Sequence, residues 1–234
     1  MEEEYIVNFV SRLVLTGTFV ASAALFATNV PLSNTGTIGS GCIGTVTLAS
    51  GCSLMSNGQL GDTHYSLSGP AGSTTRARSG PGTPTSGPWI GDNSTSTWIA
   101  PNNGGLNNNP IGFYTYTQSF NLNFVPSPGS LILGRWASDN QGTLSFNGNV
   151  VSSTPAAPIN ASFSTWTPFT INSGFVLGMN TLTFTVRNTT VGATGLRVEF
   201  SQVSLPEPVE TFTALALCGL VFVAARRRKA QMAA

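Results

Sequence analysis

Arg135, Trp136, Asp139 and Asn140 are of the residue types that hold a sugar, and they fall together in "RWASDNQG". In a β-sandwich site an aromatic face covers the apolar C–H side of a pyranose, while Asp, Asn or Arg bond its hydroxyls. The four are therefore candidate carbohydrate-binding residues. They also admit a structural role, with Trp136 packed in a core and Asp139-Asn140 capping a turn through their own side chains. For a lone tryptophan that role is the commoner one. Asp139 and Asn140 could offer oxygens to calcium, but one carboxylate makes a weak site. No metal or other cofactor is expected.

Hydrolysis would need a base, a nucleophile and an orienting group, or a pair of carboxylates. The only histidine, His64, stands in a Gly/Ser-rich context without metal-ligand spacing and reads as a surface loop residue. Asp139 and Glu199 are the only carboxylates of the strand-rich region, and nothing in their spacing suggests a glycosidase pair. Phosphate loops, nucleophile elbows and zinc motifs are absent from the sequence, so no catalytic residue is assigned and no enzyme is expected. Trp98, Tyr114, Tyr116 and Trp166 read as core. Arg197, between Leu196 and Val198, points away from the core face, toward Glu199 or across to Asp139. Cys42 and Cys52 bracket "CIGTVTLASGC", where a short hairpin would bring the sulfurs together. A disulfide is expected in an oxidising compartment, with two buried thiols as the alternative.

The elements that must position these residues are strands. "FYTYTQSFNL" puts Tyr114, Tyr116, Phe120 and Leu122 on one face and Thr115, Thr117, Ser119 and Asn121 on the other, a period of two. "LILGRW", "WTPFTI", "NTLTFTVRN" and "GLRVEFSQVSL" alternate in the same way. In "TLSFNGNVV" the pair Asn147-Gly148 favours a type I′ hairpin turn, because both central positions need positive φ. Short Gly/Asn turns without an amphipathic helix predict an all-β fold, an antiparallel β-sandwich of jelly-roll type. Before residue 88 the chain is thick with Gly, Ser, Thr and Pro. "TIGSGCIGTVTLASGCSL" and "THYSLSG" could each supply a short strand, and "SGPAGSTTRARSGPGTPTSGP" reads as loop or linker.

Only 8% of the 234 residues are charged, and the charges gather at the ends. Between Asn29 and Ser204 there are four acids, five arginines and no lysine. Solubility there rests on uncharged polar side chains, and the recurring aromatics argue against disorder. The net charge of +1 has no basic patch behind it, which excludes a nucleic-acid partner. The composition suits an exported protein. "SRLVLTGTFVASAALFA" has the layout of a secretory signal peptide, with cleavage expected after Ala24 or Ala27. Near the far end Thr211 to Ala225 is apolar and is followed by an arginine cluster. The run is short of the roughly 20 residues of a relaxed spanning helix. Snorkelling arginines and local bilayer thinning compensate. The basic tail predicts a cytoplasmic end, with residues before Leu205 outside.

Pro206-Glu207-Pro208, one apolar segment and Arg226-Arg227-Arg228 together resemble the bacterial PEP-CTERM sorting signal over residues 205–234. That resemblance implies recognition and processing by exosortase, a membrane-embedded thiol protease. It also implies transient anchoring in the membrane by the C-terminal transmembrane helix, and a final place at the cell surface or in the extracellular matrix of an exopolysaccharide-making bacterium. The stretch from Trp98 to Ser204 is similar to a β-sandwich module often carried by such proteins, like a galactose-binding-like jelly roll in outline. The pieces carrying the likeness are "WIAP", "YTYTQSFNL", "GRWASDNQGTLSFNGN", "WTPFTINSGF", "GMNTLTFTVRN" and "TGLRVEF". The expected organisation is a signal peptide over 1–27, a Gly/Ser/Thr-rich region over 28–88, a β-sandwich domain over 89–204 and the sorting signal over 205–234. The expected role is structural or adhesive and linked to exopolysaccharide; the alternative is a dedicated carbohydrate-binding module with a defined sugar site.

Overall fold

Among the described residues, alternation of β-forming residues with small turn residues makes strands nearly all of the regular secondary structure. A computed structural model describes residues 30–79, 87–102, 108–155 and 161–205, all within one compact unit, Ala27–Pro208. The expected signal peptide and sorting signal, Pro206, Glu207, Pro208, Arg226, Arg227 and Arg228 included, lie outside the described residues. In chain order the first strands are β1 (Thr37–Ile38), β2 (Ser53–Leu54), β3 (Ser66–Ser68), β4 (Thr75–Arg78), β5 (Trp98–Pro101) and β6 (Gly112–Leu122). There follow β7 (Leu131–Asp139), β8 (Gln141–Phe146), β9 (Asn149–Ser153), the single-turn helix α1 (Ala161–Ser164), β10 (Thr167–Ile171), β11 (Gly178–Asn188) and β12 (Gly195–Ser204).

Two five-stranded antiparallel sheets, in the orders β10-β7-β12-β5-β4 and β3-β6-β11-β8-β9, pack as a sandwich, and β1 and β2 form a separate small pair. The inner faces are those the alternation predicts. Tyr114, Tyr116, Phe120 and Leu122 of β6, Leu182, Phe184 and Val186 of β11, and Leu196, Val198 and Phe200 of β12 are all buried in one core. The β8–β9 hairpin turns at Asn147 (φ 48°) and Gly148 (φ 83°), both positive as a type I′ turn requires. Among the described residues no helix is long and apolar enough to cross a membrane.

The region set apart over 28–88 is not separate from the sandwich. β3 pairs with β6 and β4 pairs with β5, so each sheet takes an edge strand from it. Strand β4 lies inside the Gly/Pro-rich stretch read as linker: Thr75 and Ala77 are buried there although the flanking residues are turn formers. Upstream, Leu32 is fully buried. Thr35 bonds Val198 through both its backbone N–H (3.1 Å) and its hydroxyl (3.0 Å), and Asn34 Oδ1 accepts the Phe200 N–H at 2.7 Å. These bonds seat residues 33–35 along β12 without forming a regular strand.

Candidate functional site

Residues 135–139 alternate along β7, and the alternation separates the predicted sugar cluster. Trp136 points inward, is fully buried, packs edge-on against Phe184 at 5.6 Å, and donates its indole N–H to Ser152 Oγ at 3.1 Å. It is a core residue and offers no face to a ligand. Arg135 and Asp139 lie on the opposite side of the same strand. Asp139 is buried, with one oxygen accepting from Trp89 Nε1 at 2.9 Å and the other from Asn140 Nδ2 at 2.7 Å. Burial pushes its carboxyl up to about 7, against the opposing effect of the Trp89 hydrogen bond. Asn140 Oδ1 accepts from the backbone N–H and hydroxyl of Thr189, both at 3.0 Å, so Asn140 ties the end of β7 to the residue that follows β11 instead of capping a local turn. The four residues do not converge.

The outward side of β7 and β12 holds a charge network instead. Glu199 Oε1 accepts from Asn93 Nδ2 (2.6 Å), Ser96 Oγ (2.7 Å) and Thr95 Oγ1 (3.0 Å), while Oε2 takes Arg135 through Nε (2.8 Å) and a terminal nitrogen (2.6 Å). Arg197 donates to Ser96 Oγ and to the carbonyls of Ile90, Gly91 and Ser96, and its closest approach to Glu199 is 3.9 Å. Both guanidinium groups lie over Trp166, Arg135 at 4.5 Å and Arg197 at 5.3 Å from the ring centroid. Burial lowers Arg197 to about 10, with Glu199 opposing the drop. No buried side-chain nitrogen or oxygen of this network lacks a partner, and the bonds tie residues 90–96 to the sheet. This is a fastener in which Arg197 chooses Glu199 over Asp139.

The carboxylates are not a hydrolytic pair. Asp139 faces Gly195 and Arg135 faces Glu199 in the β7–β12 register. The two acids thus stand four strand positions apart, roughly 13 Å at about 3.3 Å per residue. That exceeds the roughly 5–9.5 Å between the carboxyls of a glycosidase pair. His64 departs from the surface-loop expectation. It sits in a turn, but its side chain is only 10% exposed, with Nδ1 3.1 Å from Asp62 Oδ1 and Nε2 against the Gly39 carbonyl. Both partners accept, which favours the doubly protonated ring, and the bond to Asp62 raises the His64 pKa. Nearby, Cys42 and Cys52 form a disulfide. The strands that bring them close are β1 and β2, which lie outside the bracketed stretch, Thr37 facing Leu54.

An opening with free polar groups lies elsewhere, between β9 and β10, the edge strands of the two sheets on one side of the sandwich. It is a groove of about 290 Å³. Asn149, Asn172 and Ser173 line it with amides and a hydroxyl, and Val150, Val151 and Ile171 supply aliphatic walls. No titratable side chain lines it. The loop after β10 is set by the hairpin turn: Asn147 Nδ2 donates to the Gly174 carbonyl at 2.8 Å, and Phe175 packs edge-on against Phe146 at 5.0 Å. The Asn-Gly turn and "WTPFTINSGF" are each legible in the sequence. Their adjacency arises from strand order, for which neither stretch carries a signal.

No protein-family model matches the chain, and no curated protein matches it. Among solved structures it is similar to the α-L-rhamnosidase of Streptomyces avermitilis in complex with L-rhamnose, with 20% identity and a TM-score of 0.36. That match covers 49% of this chain and only 12% of the rhamnosidase. A family 35 carbohydrate-binding module from an environmental isolate matches with 12% identity over 64% of this chain and 97% of the module, TM-score 0.34. A family 35 module from Cellvibrio japonicus matches at 15% identity over 64% of this chain and 98% of its own, TM-score 0.34.

Proposed function

We propose that the chain is a non-catalytic carbohydrate-binding protein of the bacterial cell surface or extracellular matrix, and that the groove between β9 and β10 takes a neutral sugar. The groove carries this reading. Its amides and hydroxyls both donate and accept, as sugar hydroxyls do, and its aliphatic walls suit the C–H face of a pyranose ring. A charged sugar would meet no counter-charge there. At about 290 Å³ it sits at the lower end of ligand pockets, roughly 300 Å³, a scale for one or two sugar residues. Binding of exopolysaccharide through this groove gives the structural and adhesive role a physical means. Export through the inner membrane, anchoring by the apolar run Thr211–Ala225 and processing by exosortase at Pro206-Glu207-Pro208 complete the proposal, and their support is the order of the three sequence parts and the expected signal peptide.

A glycan array tests the site. The expected result is retention of neutral glycans by the protein, with affinity about tenfold weaker in an Asn149→Ala/Asn172→Ala variant whose melting temperature is unchanged. Each lost hydrogen bond is worth roughly 0.5–1.5 kcal/mol, and both side chains are exposed, so folding should not suffer. Failure of the folded protein to retain any neutral glycan, or undiminished binding by the double variant, would overturn the assignment.

A further inference from the structure

The outer face of the sheet containing β6, β11 and β8 is a lattice of hydroxyls. One cross-strand row runs Ser66, Thr117, Thr183 and Ser145 and ends at Val150 on β9. The next runs Ser68, Thr115, Thr185, Thr143 and Ser153. All of these residues are exposed or partly exposed, and neither row contains a charge. Where Ser119 faces Thr181 on the same face, the two hydroxyls bond each other at 3.1 Å. Val150, the last residue of the first row, is also a wall of the β9–β10 groove. The row and the groove are therefore one continuous surface.

The spacing of the rows selects among occupants. Neighbouring strands stand roughly 4.8 Å apart, so a row offers one side chain per step, four hydroxyls in succession on the first row. That step is close to the advance of one residue along an extended β-1,4-linked hexose chain. Sheet twist turns each step by roughly 20–25°, which soft glycosidic torsions can follow and a rigid crystal face cannot. The strand-borne charge of this face, Arg187, stands in the adjoining row with Phe113 and Gln141, so an anionic polymer would find no counter-charge along either hydroxyl row. A protein partner would want a buried apolar centre, which the rows lack. We propose that this face is an extended subsite for a neutral, extended polysaccharide chain that lies across the strands and leaves from the groove. The inference rests on the groove being a sugar site. Each hydroxyl contributes little against water, and the gain comes from several in register.

Calorimetric titration of the full chain with cellobiose, cellohexaose, mannobiose and mannohexaose tests this. One hexaose is expected to bind about tenfold more tightly than its disaccharide. Thr117→Val/Thr183→Val, which removes the hydroxyls and keeps the β-branched shape of two half-buried strand residues, should remove that gain and leave disaccharide affinity and melting temperature unchanged. Equal affinity for both lengths overturns the inference, as does a length gain that survives in the double variant. No binding of any of the four overturns it too, while retention of another neutral glycan on the array would leave the groove assignment standing.

Discussion

Asp139 and His64 make stability depend on pH through opposite chemistry with the same sign. Asp139, 4% exposed, keeps its proton up to about pH 7 because burial disfavours the carboxylate. In the unfolded chain the same group releases its proton near 3.8. Between these values the folded state binds more protons, so this contribution is fully present below about pH 4 and is lost as pH rises to about 7. A gap of about three units corresponds to roughly 4 kcal/mol. His64 is raised above 6.5 by its bond to Asp62, and its contribution is fully present below 6.5 and lost as pH rises through the raised value. Thermal unfolding followed from pH 4.5 to 8 should therefore show a falling melting temperature. Asp139→Asn is expected to remove the fall between about pH 4 and 7 and to keep the part above 6.5 that belongs to His64. An unchanged slope in that variant would mean that Asp139 is ionised in the fold. "RWASDNQG" itself carries no sign of this environment, because the indole that desolvates and bonds Asp139 comes from Trp89.

At the scale of elements, the loop from Ile90 to Ser96 is held by two strand-borne charges. Glu199 of β12 collects Asn93, Thr95 and Ser96, and Arg197 two residues earlier collects the carbonyls of Ile90, Gly91 and Ser96. Alternation along β12 puts both side chains outward, as the flanking Leu196 and Val198 require. The outward side is nevertheless buried: Arg197 and Glu199 are both 0% exposed, beneath this loop and Trp166. Glu199→Gln would leave Arg197 without its nearest counter-charge and turn an amide NH2 toward donors. Urea unfolding should show a loss of roughly 3–5 kcal/mol, the range for breaking a buried pair by removing one partner. A loss below about 1 kcal/mol would place the network among surface ion pairs. Sheet edges are protected largely without charge. β3 is short, β9 is bulged between its Leu144 and Ser145 pairings, and β10 carries Pro168, while β4 presents Arg76.

For the whole molecule, the proposed route predicts a mature protein shorter than its gene product. Mass spectrometry of protein recovered from the producing cell's surface should give a chain beginning after Ala24 or Ala27 and ending near Pro206–Pro208. Recovery of an intact terminus through Ala234 would make the apolar run a permanent anchor. Much of the sandwich was legible in the sequence. Period-two alternation is local, so it sets which side chains share a face in β6, β11 and β12, and Asn147-Gly148 sets a turn from two adjacent residues. What alternation cannot tell is what covers each face. Over Trp136–Asp139 both sides of β7 are buried, one by the opposite sheet and one by the Trp89 loop, so Trp136 takes the core role its sequence already favoured and Asp139, which looked available, is buried as well. β3 lies in "THYSLSG", where a short strand was legible, whereas β4 lies in a stretch whose composition reads as loop. Both are stabilised by partners far along the chain. The groove and the hydroxyl rows are products of strand order. Sequence by itself determined the faces and turns, because these depend on near neighbours; only the tertiary structure decided which faces stay open, because that depends on which distant strand, loop or edge lies beside them.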